Sequence, residues 1–211
     1  TSLVHDLRNP LAAIFGGAEM LVDSALSPAQ VKRLAGNIYK SSRRIQDMLQ
    51  ELLELGREAA ASREVCRLAD LVRAGLDSHV AAMSRQGVTV ETQIPEDLEV
   101  EAARSRMERV FENLIANAVE AMPAGGAIRI WAQAGGGWVE AAVEDNGPGI
   151  APEIVERLFH PFVTARKRNG MGLGLAFARQ TVLDHGGDLW LDAGFRGGAR
   201  FCLRLPRAGA N

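Results

Sequence analysis

Apolar residues recur at alternating steps of three and four from the start of the chain: Val4, Leu7, Leu11, Ile14, Ala18 and Leu21. Such spacing lines one stripe of an amphipathic helix and matches a heptad seam. The stretch DSALSP interrupts it. Ser27, Pro28 and Gln30 have the order of an N-cap, a first helical residue and a capping-box partner. A second helix is predicted behind them, with Val31, Leu34, Ile38, Ile45, Met48, Leu52 and Leu55 on its stripe and Ser41 as a polar interruption. Two helices joined by a short loop form an antiparallel hairpin, which alone buries too little apolar surface. A second copy of the chain, completing a four-helix bundle as a homodimer, is the simplest solution.

The seam is lost in REAAASREVC, and the texture changes after it. GVTVETQI, AIRIWAQA, WVEAAVED and ARFCLRL are rich in strand formers and partly alternate. Helical patterns interleave at about 68–84, 103–122 and 173–185, the last closed by Gly186 and Gly187 in C-cap fashion. The expected fold is therefore an α helical hairpin over residues 1–61, followed by an α/β sandwich over 62–211.

Composition narrows the function classes. A net charge of −2 over 211 residues gives no field to draw the chain to nucleic acid or anionic lipid. No apolar run approaches the roughly 20 residues that span a bilayer, so no membrane contact is expected of this region. Cys66 and Cys202 lack ligand spacing, which argues against a disulfide framework and fits a reducing, cytoplasmic setting. Thr1 is not an initiator residue, so the chain reads as a piece of a longer one whose first helix is cut short and whose dimer is weakened.

Three stretches carry chemistry. In VFENLIANAVEAM, Asn113 and Asn117 are four apart and share a helix face. They could cap a loop or face water, but amide oxygens are also hard ligands suited to Mg²⁺ carrying a nucleotide's phosphates. In VEDNGPGI, a strand ends at Asp145 before Asn-Gly-Pro-Gly. This is a plain turn, or else Asp145 accepts from an exocyclic amine while Gly147 and Gly149 let the backbone approach a flat base. In NGMGLGLAFARQTVL, Gly170, Gly172 and Gly174 lead into a helix, where free N–H groups bind phosphate. No apolar strand precedes them, which excludes the dinucleotide fingerprint, and no Gly-Lys-Ser/Thr follows, which excludes a Walker loop.

In this order, the motifs make the chain resemble the sensor histidine kinases of two-component signalling. HDLRNPL resembles their H box, NLIANA the N box, DNGPGI the G1 box, LFHPFVTAR the F box and GMGLGL the G2 box. The resemblance covers nearly the whole chain. It implies a dimerisation and phosphoacceptor hairpin followed by a Bergerat-type ATP-binding domain. It also implies that Asn117 binds Mg²⁺, Asn113 supports the phosphate site, and Asp145 reads adenine with Gly147 and Gly149 lining the base pocket. Gly170, Gly172, Gly174 and Leu175 would hold the phosphates, and Phe159 and Phe162 would anchor a lid. The lid is short, as in the nitrogen-regulation branch. That branch shows Thr-Thr-Lys after the F box where this chain has Thr164, Ala165, Arg166 and Lys167, so which of Arg166 and Lys167 meets phosphate stays open.

The resemblance makes His5 the phosphoacceptor. With Val4 and Leu7 in the seam, His5 is expected to face solvent. Asp6 can hold one ring N–H and help remove the proton as phosphoryl arrives. Pro10 either kinks the helix one turn later or marks where the helix really begins. Asn9 lies four residues after His5. In the family, an acidic residue with Asn or Thr three positions on marks kinases that also dephosphorylate their partner, a response-regulator receiver domain. The rival is a Bergerat-fold ATPase, or a nucleotide-binding dimerisation module without kinase activity. Hydrolysing relatives carry Glu four residues before the Mg²⁺-binding Asn, where this chain has Asn113, and Glu112 is about 100° out of phase.

Overall fold

A computed structural model describes residues 3–56, 62–161, 163 and 172–209, with side chains described from Leu7 onward except at 44 and 47–56. The chain divides into two compact units, Thr1–Glu58 and Ala59–Asn211.

The first unit is the hairpin of α1 (Leu3–Asp23) and α2 (Pro28–Gly56). The capping box forms as its residue types dictate: Ser27 Oγ accepts from the Gln30 N–H at 3.4 Å, while Gln30 Oε1 accepts from the Ser27 N–H at 2.9 Å. Pro10 lies inside α1, so the helix does not begin there, and the Asp6 carbonyl has no N–H one turn on. Pro10 and Gly17 are buried, and Ile14 and Leu21 are half-buried. A Cβ on Gly17 would stand 3.0 Å from Ile38 Cγ1, so the two helices touch closely at that point. One residue further round α1, Leu11, Phe15 and Val22 are exposed, Phe15 at 72%. The single expected seam is thus two adjacent stripes, one facing α2 at Gly17 and one exposed among the described residues.

The second unit opens with β1 (Glu64–Arg67), α3 (Leu68–Asp77), α4 (Val80–Gln86), β2 (Val88–Gln93), β3 (Glu99–Ala102) and α5 (Arg104–Ala121). It continues with β4 (Gly126–Gly135), β5 (Trp138–Asp145), α6 (Pro152–Val155), α7 (Gly174–Asp184), β6 (Asp188–Leu191) and β7 (Arg200–Pro206). The main sheet has order β2-β4-β5-β7-β6, with β2 parallel to β4 and every other pair antiparallel. β1 and β3 form a separate antiparallel pair. Ile128, Ile130, Val143 and Leu203 alternate inward from the sheet and meet Leu71 of α3 and Met107, Phe111 and Leu114 of α5 in one core. The helix expected over 68–84 is broken: His79 starts α4, and its ring Nε2 donates to the Glu112 carbonyl at 3.3 Å. At the end of α7, Gly187 N–H reaches the Val182 carbonyl and Gly186 N–H the Leu183 carbonyl, with Gly186 at φ +76°. That is the glycine C-cap expected there.

Candidate nucleotide site

The second half of α5 is the spine of the site. Asn113, Asn117 and Ala121 follow at intervals of four and form one stripe about 12 Å long at 1.5 Å per residue. At one end, Asn113 lies against the first residue of α7: a Cβ on Gly174 would be 2.7 Å from Asn113 Oδ1. At the other end, Gly147 lies against Ala121 and Met122, where a Cβ would have 3.2–3.4 Å of room. Two glycine motifs far apart in sequence are therefore brought to the two ends of the stripe carrying both asparagines.

Asp145 closes the second end. Its Oδ1 accepts the Gly147 N–H at 2.9 Å and the Ala199 N–H at 3.2 Å. It is 6% exposed, and burial pushes its carboxyl above the usual carboxylate range while the two N–H groups pull against that shift. Ala199 opens no recognised motif in the sequence. Gly198 stands at φ +146°, and a Cβ there would overlap the Asp145 carbonyl oxygen, so only glycine fits. The pair Gly197-Gly198 before a strand-forming run was the available signal. Behind Asp145, Arg200 pairs with Glu144 and Asp192, each at 3.0 Å, fastening the start of β7 to the ends of β5 and β6.

Gly149 is at φ +73° and faces the Gly198 carbonyl, so it lines the same turn. Gly172, at φ +69°, backs onto the Val163 backbone, and Leu175 is half-buried against the core. Phe159 is half-buried, edge-on to Phe201 at 6.3 Å between centroids, with the Arg179 guanidinium 5.0 Å over its ring. Phe162, Thr164, Arg166, Lys167 and Gly170 lie outside the described residues. His5 and Asp6 are in α1, on the other unit, where Arg8 and Asn9 are exposed. Burial pushes the Cys202 thiol up to about 11, and both cysteines are unpaired, so neither offers a nucleophile.

The donor set fits a phosphate ligand. Asn113 Nδ2 is buried with no hydrogen-bond partner among the described residues, and phosphate oxygens are acceptors. The first turn of α7 contributes backbone N–H groups with no side-chain cap at Leu173 and no acid in that turn. No cluster of three His, Cys, Asp or Glu side chains suited to a metal occurs among the described residues.

Comparison with known proteins gives the same frame. The model described as "Histidine kinase-, DNA gyrase B-, and HSP90-like ATPase" matches residues 102–209, and that for the "His Kinase A (phospho-acceptor) domain" matches 1–61. The sensor-like histidine kinase SenX3 of Mycolicibacterium smegmatis is 32% identical over 213 residues, 96% of this chain and 55% of its own length. The catalytic domain of histidine kinase ThkA is 30% identical with a TM-score of 0.63, covering 69% of this chain and 96% of that one. ThkA solved in complex with the response regulator TrrA matches with a TM-score of 0.79 at 28% identity, over 98% of this chain and 60% of that one. The chain spans about half the length of the curated relatives it matches. Among the described residues, no helix is long and apolar enough to cross a membrane.

Proposed function

The chain belongs to the sensor histidine kinase family, with a phosphoacceptor region and an ATP-binding region in one polypeptide, and on that premise we propose that it phosphorylates itself on His5. The phosphoryl group then passes to an aspartate of a response-regulator receiver domain. The stripe Asn113–Asn117–Ala121, joining the Gly174 and Gly147 motifs in a chain whose first helix carries His5, supports this reading above all else. We assign 1–61 to dimerisation and phosphoacceptance and 62–211 to ATP binding. The exposed stripe Leu11–Phe15–Val22 supports a homodimeric four-helix bundle. The unpaired cysteines and the ATP requirement support a cytoplasmic location.

When bound, ATP supplies the γ-phosphoryl group, and Mg²⁺ supplies the charge that screens its oxygens. Asp145, with Oδ1 held by two backbone N–H groups, presents Oδ2 to the exocyclic amine of adenine. Asn117 offers its carboxamide oxygen to the cation. Asn113 Nδ2 and the Gly172–Gly174 backbone donate to phosphate, with Thr164 and one of Arg166 and Lys167 adding further donors. In α1, Asp6 takes the imidazole N–H of His5 and keeps the opposite nitrogen free to attack. Asn9, one turn on and exposed, orients water for hydrolysis of the regulator's aspartyl phosphate. An ATP-hydrolysing enzyme would need a carboxylate where Asn113 stands. Glu112 does not fill that place, for its backbone lies beside Gly75 of α3 and its carbonyl is bonded to His79.

The test is incubation with γ-labelled ATP followed by acid and base challenge. Label that survives base and is lost in acid is expected in the parent and absent in His5→Gln, with nucleotide affinity unchanged. Acid-labile label retained in His5→Gln overturns the acceptor assignment.

A further inference from the structure

The far ends of the two site-bearing helices meet at a second cluster of polar groups, a buried His185 and Thr181 beside a half-buried Arg106 and an exposed Asp184, which the proposed chemistry does not use. His185, 3% exposed, follows the last residue of α7. Its Nδ1 donates to the Thr181 carbonyl at 2.6 Å, and its Nε2 accepts the Ala103 N–H at the start of α5 at 3.0 Å. Asp184 accepts from Arg106 of α5 at 2.6 Å and from Gln180 at 2.7 Å. This cluster thereby bonds one end of the α5–α7 pair, and at the nucleotide end Gly174 packs closely on Asn113.

The last turn of α7 contains no basic residue, although a helix C-terminus carries partial negative charge and here ends in an aspartate. Its cations come from elsewhere. One is Arg106. The other is Arg63, whose Nη2 donates to the Asp184 carbonyl at 2.6 Å across 121 positions of sequence. Arg63 is five residues past the boundary between the two units. Next to it, Glu64 bonds Arg104 at the N-terminus of α5 at 2.7 Å. The chain entering the ATP-binding unit is thus fastened to the far ends of the same two helices whose near ends form the nucleotide site.

We propose that Arg63 is a positioning residue for phosphoryl transfer, tying the chain that arrives from the phosphoacceptor hairpin to the helix whose first turn receives the nucleotide phosphates. The inference rests on the kinase reading above. α7 is eleven residues long, about 16 Å, and an uninterrupted helix of that length moves as one piece. A displacement of its first turn on nucleotide binding is carried to Asp184, and through Arg63 to the chain that leads to His5. Arg63 is exposed, so the fold depends little on it. Its contribution to transfer is therefore separable from stability.

The experiment compares the parent with Arg63→Ala and Arg63→Lys by thermal melting, Kd for a non-hydrolysable ATP analogue, and kcat and KM of His5 autophosphorylation. In Arg63→Ala the expected result is a kcat about 3- to 10-fold lower, the net worth of one ordinary solvent-exposed hydrogen bond, with Kd and KM within about twofold of the parent and Tm unchanged. Arg63→Lys, which keeps a charged donor, should recover part of the rate. A parent-like kcat in Arg63→Ala overturns the inference. So does a loss of rate that follows a matching loss of Tm and Kd, which marks Arg63 as structural support alone. A parent that forms no phosphohistidine overturns the kinase reading instead.

Discussion

The hairpin and the α/β unit bury their apolar residues in opposite ways. In the α/β unit, Phe111, Leu114, Ile115, Ile128, Ile130 and Leu203 are fully enclosed, and the sheet and helices complete one another within a single chain. In the hairpin, Leu11, Phe15, Met20, Val22, Val31 and Tyr39 are all exposed, while its internal contact relies on a proline, a glycine and half-buried aliphatics. The nucleotide site sits on a unit that is finished as it stands. The proposed phosphoacceptor sits on one that leaves an apolar stripe exposed for the partner copy proposed above. Binding ATP should therefore be independent of protein concentration, and self-phosphorylation should depend on it.

The largest effect should come from Phe111→Ala, which empties the centre of the α/β core and should cost about 3–5 kcal/mol in chemical denaturation. The matching change Phe15→Ala should leave that transition where it was and raise the dissociation constant of the dimer, read by sedimentation equilibrium. Unchanged association would mean that the stripe is merely wet, and the contrast between the units would collapse.

Asp145→Asn sharpens the contrast from the other side. Asn can still accept the Gly147 and Ala199 N–H groups through Oδ1, so folding should hold, and the loss of a buried charge should if anything stabilise the empty unit. Its amide would meet the adenine amine donor to donor, a mismatch of about 1–3 kcal/mol. Competition binding should show weaker ATP binding and less preference over GTP. An unchanged preference would return Asp145 to the rank of a turn residue.

A smaller loss, about 1 kcal/mol, is expected for Ser27→Ala, which removes one half of the capping box. It should appear only in hairpin melting. Smaller still is a pH effect confined to the α/β unit. Burial, aided by Arg63 and Arg106, pushes the His185 imidazole below its usual range, against the Thr181 bond and Asp184. The folded state then binds fewer protons than the unfolded one as pH falls below about 6.5, so stability is full above that pH and declines below it. His185→Gln should flatten that part of the stability profile measured by denaturant titration.

The long elements were legible because their periods were. β4, β5, β7 and α5 each repeat their pattern often enough to be read, and the capping box states its own geometry. β1, β3 and β6 are four residues each, and EVCR, EVEA and DLWL are too short for alternation to register. The heptad reading merged two faces because Pro10 and Gly17, which are both buried, carry no hydrophobic signal, although Gly17 lets Ile38 of α2 approach closely. At the site, Asp145 and the asparagines were readable as types at a spacing. Ala199 was not, since it acts through its backbone N–H, and no side chain advertises that.

Asn113 Nδ2 has a further consequence, for measurement. A buried donor without an acceptor is a standing debit of about 1–3 kcal/mol in the empty protein. A ligand that cancels it binds the folded state alone, and mass action adds about 2.7 kcal/mol of stability at a hundred times Kd. The melting temperature of the α/β unit is thus a built-in gauge of nucleotide supply, rising with the logarithm of its concentration. The hairpin, whose apolar stripe at Leu11, Phe15 and Val22 is exposed, should answer instead to the concentration of its own copies.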